Sequence, residues 1–359
     1  MKQIIKKTSH AVIPMQNIGP IRISGPELEA EVMVPLATFE TPLWPSTDRG
    51  ARISRQIPGG IQAMILHEHM TRSVIVEAPS AIDAELIIKD LHKKYDEVAL
   101  CIKETGRFVK LKEWHFELVG KLIYIRLAMN TGDASGHNMV TKAADTFLQF
   151  ILSHYPNLKY VSISGNMCVD KKVSAINGIL GRGKYVVAEI VIPRPYCQSI
   201  LRTTPEKIVE LNNKKNLLGG ILAGSIRSAN AHFANMLLAF YLATGQDAAN
   251  IVEGSQGIVY AQLQGENLYF SVTLPNIIVG TVGNGKELGF VQENLKLLGC
   301  LTDSPPGHDS RRLSLIVAAT VLCGELSLLA AQTNQGELMK SHLKLERIAS
   351  TVSDNELTE

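Results

Sequence analysis

The stretch SGNMCVDKKVSAIN (residues 164–177) gathers Ser164, Asn166, Asp170, Lys171 and Lys172 into one predicted loop between a strand and a helical segment. Polar turns just past strand ends are where α/β proteins bind anions. A lysine held near a carboxylate can also donate to an oxyanion as it forms. Taken alone, Asp170-Lys171-Lys172 reads more readily as the charge run of a solvated face. A second loop, GDASGHN (132–138), sets glycines and Asp133 at a predicted helix start, where free N–H groups suit a phosphate or pyrophosphate; an ordinary capped helix start has the same appearance. A third, GTVGNGKELG (280–289), also lies between a strand and a helix, but its spacing is GxGxxxG and no second βα unit of the right length follows. A standard Rossmann domain is therefore not supported. His67 and His69 are two residues apart, the wrong spacing for a metal-binding HExxH helix, so no metal is expected. On spacing alone His342 is a surface histidine, Asp247 a turn residue, and Glu40, set between prolines, has nothing that marks it as an acid.

These loops need a scaffold. Residues 1–60 carry Pro14, Pro20, Pro26, Pro35, Pro42, Pro45 and Pro58, too closely spaced for a long helix, and predict an irregular wrapping segment with no core of its own. From residue 73 the pattern predicts a strand (SVIVEA), a helix over 81–94, strands over 97–103 and 121–129 with a shorter one at 107–112 between them, a helix over 133–154 opened by an Asp133 cap, and a strand over 158–164. That order is the split βαβ, ferredoxin-like unit. Further on come a strand over 184–193, a helix opened by Thr204-Pro205-Glu206, a strand over 268–279, and helices over 287–298 and 311–333. Residues 216–244 are apolar on nearly all sides and predict a long buried central helix. The fold class is α+β. A large helical and β domain (1–72 and 165–335) surrounds the central helix, with a smaller inserted ferredoxin-like domain (73–164) and a mobile C-terminal segment (336–359).

Composition narrows the function classes. The chain has 359 residues, 45% of them apolar and 19% charged, with 36 Lys and Arg against 34 Asp and Glu. It is too apolar for disorder, and a formal charge of +2 gives no bulk attraction to nucleic acid or to an acidic membrane. Five scattered cysteines without a CxxC pair fit a reducing compartment, and the N-terminus lacks the apolar core of a signal peptide. The most membrane-like run, residues 313–323, is too short to span a bilayer. A cytoplasmic protein with no membrane or nucleic-acid partner is expected.

From about residue 33 to 347 the chain resembles the 3-hydroxy-3-methylglutaryl-coenzyme A (HMG-CoA) reductase family. MVPLATFE, STDRGAR, HMTRSVIVEAP, GDASGHNM, SGNMCVDKKVSAINGILGRGK, KKNLLGGILAGS, NAHFANMLLAFYLATGQDAANIVE, LPNIIVGTVGNG, GELSLLAA and LMKSHL look like the family's motifs, in its order, and the DKK form looks like its class I branch. The resemblance implies reduction of HMG-CoA to mevalonate with two NADPH. It implies Glu40 as an acid near the thioester carbonyl, Lys171 as the cation over the carbonyl oxygen, Asp247 as the carboxylate coupling them, and His342 as proton donor to the departing thiolate. Ser46 and Arg49 match coenzyme A contacts, while Arg72, Ser164, Asp170, Lys172, Lys215 and Asn235 match the hydroxymethylglutaryl site. Arg107, Asp133, Gly136, Asn138, Val282, Gly283 and Arg347 match the NADP site, so the two glycine loops would share one ligand. The smaller domain would carry the cofactor, and active sites would form between the subunits of a homodimer. The chain departs from the family pattern at Thr41-Pro42, Gly106, Ser135, His137 and Arg227-Ser228. Other classes compatible with the chain are a catalytically weakened acyl-CoA-binding relative and an RNA-binding module, although RFVKLK (107–112) lacks the RNP1 pattern.

Overall fold

The computed structural model describes residues 11–337 together with Met339 and Leu343. The N-terminal part is regular. Strand β1 (Met15–Ser24) pairs antiparallel with β2 (Ala30–Ala37), and helix α1 (Leu43–Gln56) follows. The prolines that predicted irregularity sit where each is tolerated. Pro35 lies on the edge strand β2, while Pro42 and Pro45 flank the first turn of α1, whose N–H groups have no partner inside the helix. These elements also contribute to the main core through Ile21, Ile23, Val34, Leu36, Leu43 and Ile53, contrary to the expectation of a segment without one.

The long strand β3 (Ile61–Glu77) is followed by α2 (Ala81–Lys93), α3 (Tyr95–Lys103), β4 (Lys110–Val119), β5 (Leu122–Asn130), α4 (His137–His154) and β6 (Lys159–Ser162). Residues 97–103 are helical, not the predicted strand. Their buried residues Val98 and Ile102 stand four apart, the spacing of one helix face, so the apolar run was misread as a strand. The small sheet runs β6-β3-β5-β4, all antiparallel, and packs a separate core against α4 through Phe147, Ile151, Ile123 and Ile125.

Then come α5 (Ala175–Leu180), β7 (Gly183–Ile192), α6 (Arg194–Ser199), α7 (Pro205–Leu211), α8 (Gly220–Leu222), α9 (Phe233–Ala243), α10 (Ile251–Gly254), β8 (Ile258–Gln264), β9 (Asn267–Ile277), α11 (Gly289–Leu297) and α12 (His308–Gln332). The larger sheet runs β2-β1-β3-β7-β9-β8. Its β7 alternates buried and half-buried residues along its whole length, as a strand packed on one face must. β3 belongs to both sheets: residues 62–69 pair with β7 and residues 70–77 with β5, making one open mixed sheet.

The central helix is α12, not residues 216–244. The latter stretch is a π-helical turn (Asn212–Gly219), the short α8, an exposed reversal and then α9. Gly224 at φ 71° and Arg227 at φ 48° are left-handed and end any right-handed helix there. α12 is long and apolar enough to cross a membrane, yet 94% of its apolar window is buried in protein, against α1, α9 and strands of the large sheet. Its contact with α1 is closest at Gly50, where an added Cβ would lie 2.2 Å from the Cys323 carbonyl oxygen.

Candidate active site

The loop after β6 folds back over β3, where the Ser73 hydroxyl gathers three of its amides and Thr71 Oγ1 donates to the Cys168 carbonyl at 3.3 Å. Ser73 Oγ accepts from the backbone N–H of Gly165, Met167 and Cys168 at 3.0, 3.1 and 3.2 Å. The loop then adopts three left-handed residues, Asn166 (φ 55°), Val169 (φ 37°) and Lys171 (φ 55°), a conformation that side chains other than glycine hold only where the surroundings fix it. Asn177 Nδ2 donates to the Val169 carbonyl at 2.8 Å, one of the contacts that do so.

The loop delivers Lys171 Nζ to Asp247 Oδ2 at 2.6 Å. Asp247 heads a tight turn after α9, where its other oxygen accepts from Ala249 N at 3.1 Å. The hydrogen bond that Lys171 donates to Asp247 raises the Lys171 pKa. Burial opposes charge on Asp247, but Lys171, the Ala249 N–H and His137 outweigh it and hold the carboxyl below its ordinary range. At neutral pH the proton therefore rests on Lys171. Sequence spacing marked neither residue of this pair above a solvated charge or a turn residue.

Glu40 is exposed, and its Oε2 accepts from Asn235 Nδ2 at 2.8 Å. Among the described residues the Glu40–Asn235 and Lys171–Asp247 pairs share no hydrogen bond or ion pair. The loop before α9 is held from below by Glu325, which is fully buried on α12 and accepts from Ala231 N and His232 N at 2.9 and 2.6 Å. Lys215 donates to Asn216 Oδ1 at 3.2 Å, and burial lowers its pKa. Lys172 Nζ reaches the Asp170 carbonyl at 3.1 Å. The buried Nε of Arg72 has no hydrogen-bond partner, and Ser164 N donates to Ser162 Oγ at 3.1 Å. Ser46 and Arg49 both meet Ser327 of α12, with the Ser46 and Ser327 hydroxyls 3.0 Å apart and Arg49 Nε also 3.0 Å from the Ser327 hydroxyl; Arg49 further pairs with Glu337 at 3.2 Å. His342 and Arg347 lie outside the described residues.

The two glycine loops adjoin. Ala134 and Val282 form a parallel bridge, Thr281 N donates to the Asp133 carbonyl at 2.8 Å, and a Cβ on Gly280 would lie 2.4 Å from Ser135 N. Gly136 (φ 91°) precedes α4, Gly283 (φ 105°) opens onto free space, and Asn138 and Arg107 are exposed. Asp133 does not cap α4, as the sequence predicted. Its carboxylate turns the other way and accepts from Gly307 N at 2.7 Å and Ser310 N at 2.9 Å, the free donors at the start of α12. Gln246, next to Asp247, both donates to and accepts from Gly280 and so links the Asp247 turn to the glycine loop.

Sequence reasoning missed a buried charged group beneath Lys171. Arg182 bridges Glu253 at 2.7 Å and Asp170 at 3.0 Å, with Arg182 and Glu253 almost wholly buried. Burial pushes the Glu253 carboxyl up to about 7. His137, one of the departures from the family pattern, lies 3.2 Å from Asn250 Oδ1 and 3.7 Å from Asp170 Oδ1, joining the 132–138 glycine loop to this cluster. Arg227, another departure, takes the left-handed conformation that favours glycine and donates from Nε to the Gly178 carbonyl at 2.8 Å.

A family model described as hydroxymethylglutaryl-coenzyme A reductase matches residues 5–347. The chain is 42% identical over 337 residues to the 3-hydroxy-3-methylglutaryl-coenzyme A reductase of Aeropyrum pernix, covering 93% of this chain and 79% of the relative. To the Pyrococcus horikoshii protein of that name it is 40% identical over 338 residues, covering 93% and 81%. In fold it is similar to a class II 3-hydroxy-3-methylglutaryl-CoA reductase from Streptococcus pneumoniae bound to NADPH, with a TM-score of 0.72 at 18% identity, covering 92% of this chain and 78% of that one. With the family model spanning residues 5–347 and relatives 40–42% identical over 93% of the chain, the chain belongs to the hydroxymethylglutaryl-coenzyme A reductase family.

Proposed function

We propose that the protein reduces HMG-CoA to mevalonate and coenzyme A with two NADPH. The observation that carries this reading is the Lys171–Asp247 pair, held at 2.6 Å beside the joined glycine loops. Reduction of a thioester makes an oxyanion, and the charged Lys171 ammonium is placed to donate to it, with Asp247 keeping the proton on lysine until it is needed. Collapse expels a thiolate that re-adds unless it is protonated, which is the role proposed for His342. Glu40 is the acid near the carbonyl, and Asn235, which donates to it, meets the hydroxymethylglutaryl end. Arg72, Ser164, Asp170, Lys172 and Lys215 hold the hydroxymethylglutaryl carboxylate and hydroxyl, and Ser46 and Arg49 meet the coenzyme A chain.

NADPH supplies the hydride when bound. Arg107, Gly136, Asn138, Val282, Gly283 and Arg347 are the residues proposed to hold it, and the open space over Gly283 fits such a ligand. Asp133, whose carboxylate is engaged by α12, positions that loop. The order β6-β3-β5-β4 with α2 to α4 supports reading residues 73–164 as a ferredoxin-like cofactor domain inserted in a substrate domain of 1–72 and 165–335, with 336–359 as a C-terminal closing segment. A homodimer is supported by the outer sheet face, where Met64, Leu66 and Tyr260 are exposed. Five free cysteines and an apolar α12 enclosed by protein favour the cytoplasm. The decisive experiment mixes the protein with HMG-CoA and NADPH and follows loss of NADPH absorbance. Turnover that falls at least ~100-fold in Lys171→Ala is the expected result, and unchanged turnover in that variant would refute the role.

A further inference from the structure

Lys171 is held at two points by one turn. Its Nζ meets Asp247 at the head of the turn, and its backbone N–H donates to Glu253 Oε1 at 3.2 Å at the far end, with the 3-10 helix Ala248–Asn250 and α10 running continuously between. The same Glu253 oxygen accepts from Arg182, and Arg182 reaches on to Asp170, the residue before Lys171. Glu253 is fully buried, and its second oxygen has no partner. The other groups around it are Asn276 of β9, which donates to the Glu253 carbonyl, and Tyr241 of α9, whose buried hydroxyl is unpartnered. A carboxylate needed only to neutralise Arg182 has no need to accept a hydrogen bond from the amide of a left-handed lysine. Here it does so, at a residue whose backbone conformation must be fixed by its neighbours.

We propose that Glu253 is a positioning residue for thioester reduction: with Arg182 it clamps the backbone of residues 170–171 to the turn that carries Asp247, and so fixes where Lys171 Nζ points. The inference rests on the role of Lys171 proposed above. Without the clamp, Lys171 keeps its charge and Asp247, but its amine wanders from the reacting oxygen, and a misplacement of this kind lowers the rate of the chemical step while sparing substrate affinity.

The test is a double-mutant cycle in the full-length protein, measuring kcat and KM for HMG-CoA and the melting temperature. Glu253→Gln keeps the volume and one acceptor but loses the charge. It is expected to lower kcat roughly 10- to 100-fold, with KM changed less than about threefold. The double variant Lys171→Ala/Glu253→Gln is expected to be no slower than Lys171→Ala, because a residue acting only through lysine has nothing further to lose. Wild-type kcat in Glu253→Gln, an effect confined to KM, or a rate loss that multiplies with that of Lys171→Ala would each overturn the inference while leaving the reading of Lys171 intact. Undiminished turnover in Lys171→Ala alone would overturn that reading, and the clamp with it. If Glu253→Gln does not fold, Glu253→Asp carries the same test, since it keeps the charge for Arg182 and withdraws the carboxylate from the Lys171 amide.

Discussion

Replacing Asp133 isolates a helix cap that joins two distant parts of the chain. The carboxylate takes two N–H donors at the start of α12, at 2.7 and 2.9 Å, and no side chain of the helix's own first turn does this work. Loss of a side-chain cap costs about 0.5–2 kcal/mol, and loss of a negative charge at a helix N-terminus about 0.3–1 kcal/mol more. Asp133→Ala should therefore destabilise the protein by roughly 1–3 kcal/mol. For a chain of 359 residues the unfolding entropy is about 0.75 kcal/mol per kelvin, so the melting temperature should fall by roughly 1–4 °C. Asp133→Asn retains one acceptor and should lose about half as much. Scanning calorimetry measures the shift, and steady-state kinetics on the same samples below the transition measure KM for NADPH, expected to stay within about threefold because the loop is also held by backbone bonds to Thr281. An unchanged melting temperature combined with a large rise in KM would refute the reasoning and make Asp133 a cofactor contact instead of a cap.

Further outcomes follow from other parts of the molecule. Burial, reinforced by Arg126 and His67, lowers the His69 pKa from 6.5 to about 4. Its neutral form thus stabilises the fold above pH 6.5, and that stability, at most about 3 kcal/mol, drains away as pH falls toward 4. His69→Gln should show a shallower fall in melting temperature over that window, and an equally steep acid limb would contradict the assignment. Gly50→Ala drives a Cβ into the Cys323 backbone and should lower the unfolding free energy measured by urea titration by the upper part of the ~1–3 kcal/mol range for overpacking; a neutral result would mean that α1 and α12 separate at little cost. His342→Gln should slow HMG-CoA conversion far more than reduction of free mevaldehyde, which has no thiolate to expel, and equal slowing of both steps would remove the proton-donor role.

The legible parts of the sequence were those governed by neighbours along the chain. Strands β5, β7 and β9 were readable from alternation and β-branched runs, and Thr204 from its capping position, where its Oγ1 accepts from Lys207 N. Residues 97–103 misled because a short apolar run fits a strand or a buried helix equally well. The central helix was misplaced because residues 216–244 and 308–332 are similarly apolar, and backbone hand at Gly224 and Arg227 does not show in hydrophobicity. The Lys171–Asp247 pair emerged only by resemblance, since its members stand far apart in the chain. The Arg182–Glu253 contact spans 71 positions and the Asp133 cap of α12 spans 174 and 177, distances over which periodicity carries no information.

Strand β3 passes from one sheet into the other without a loop between them, and residue 73, where the small unit was expected to begin, falls inside it. The unit is therefore not a cassette. A chimera that exchanged residues 73–164 with those of a relative would splice two half-strands in mid-ladder, leaving the donor's register to agree by chance with the host's β7 pairing. A graft that respects the hydrogen bonds must carry residues 61–77 whole, and with them the strand that β1 and β7 share. Evolution faces the same constraint, so the residues of this unit are more readily altered by single substitutions than by replacement of the unit as a whole.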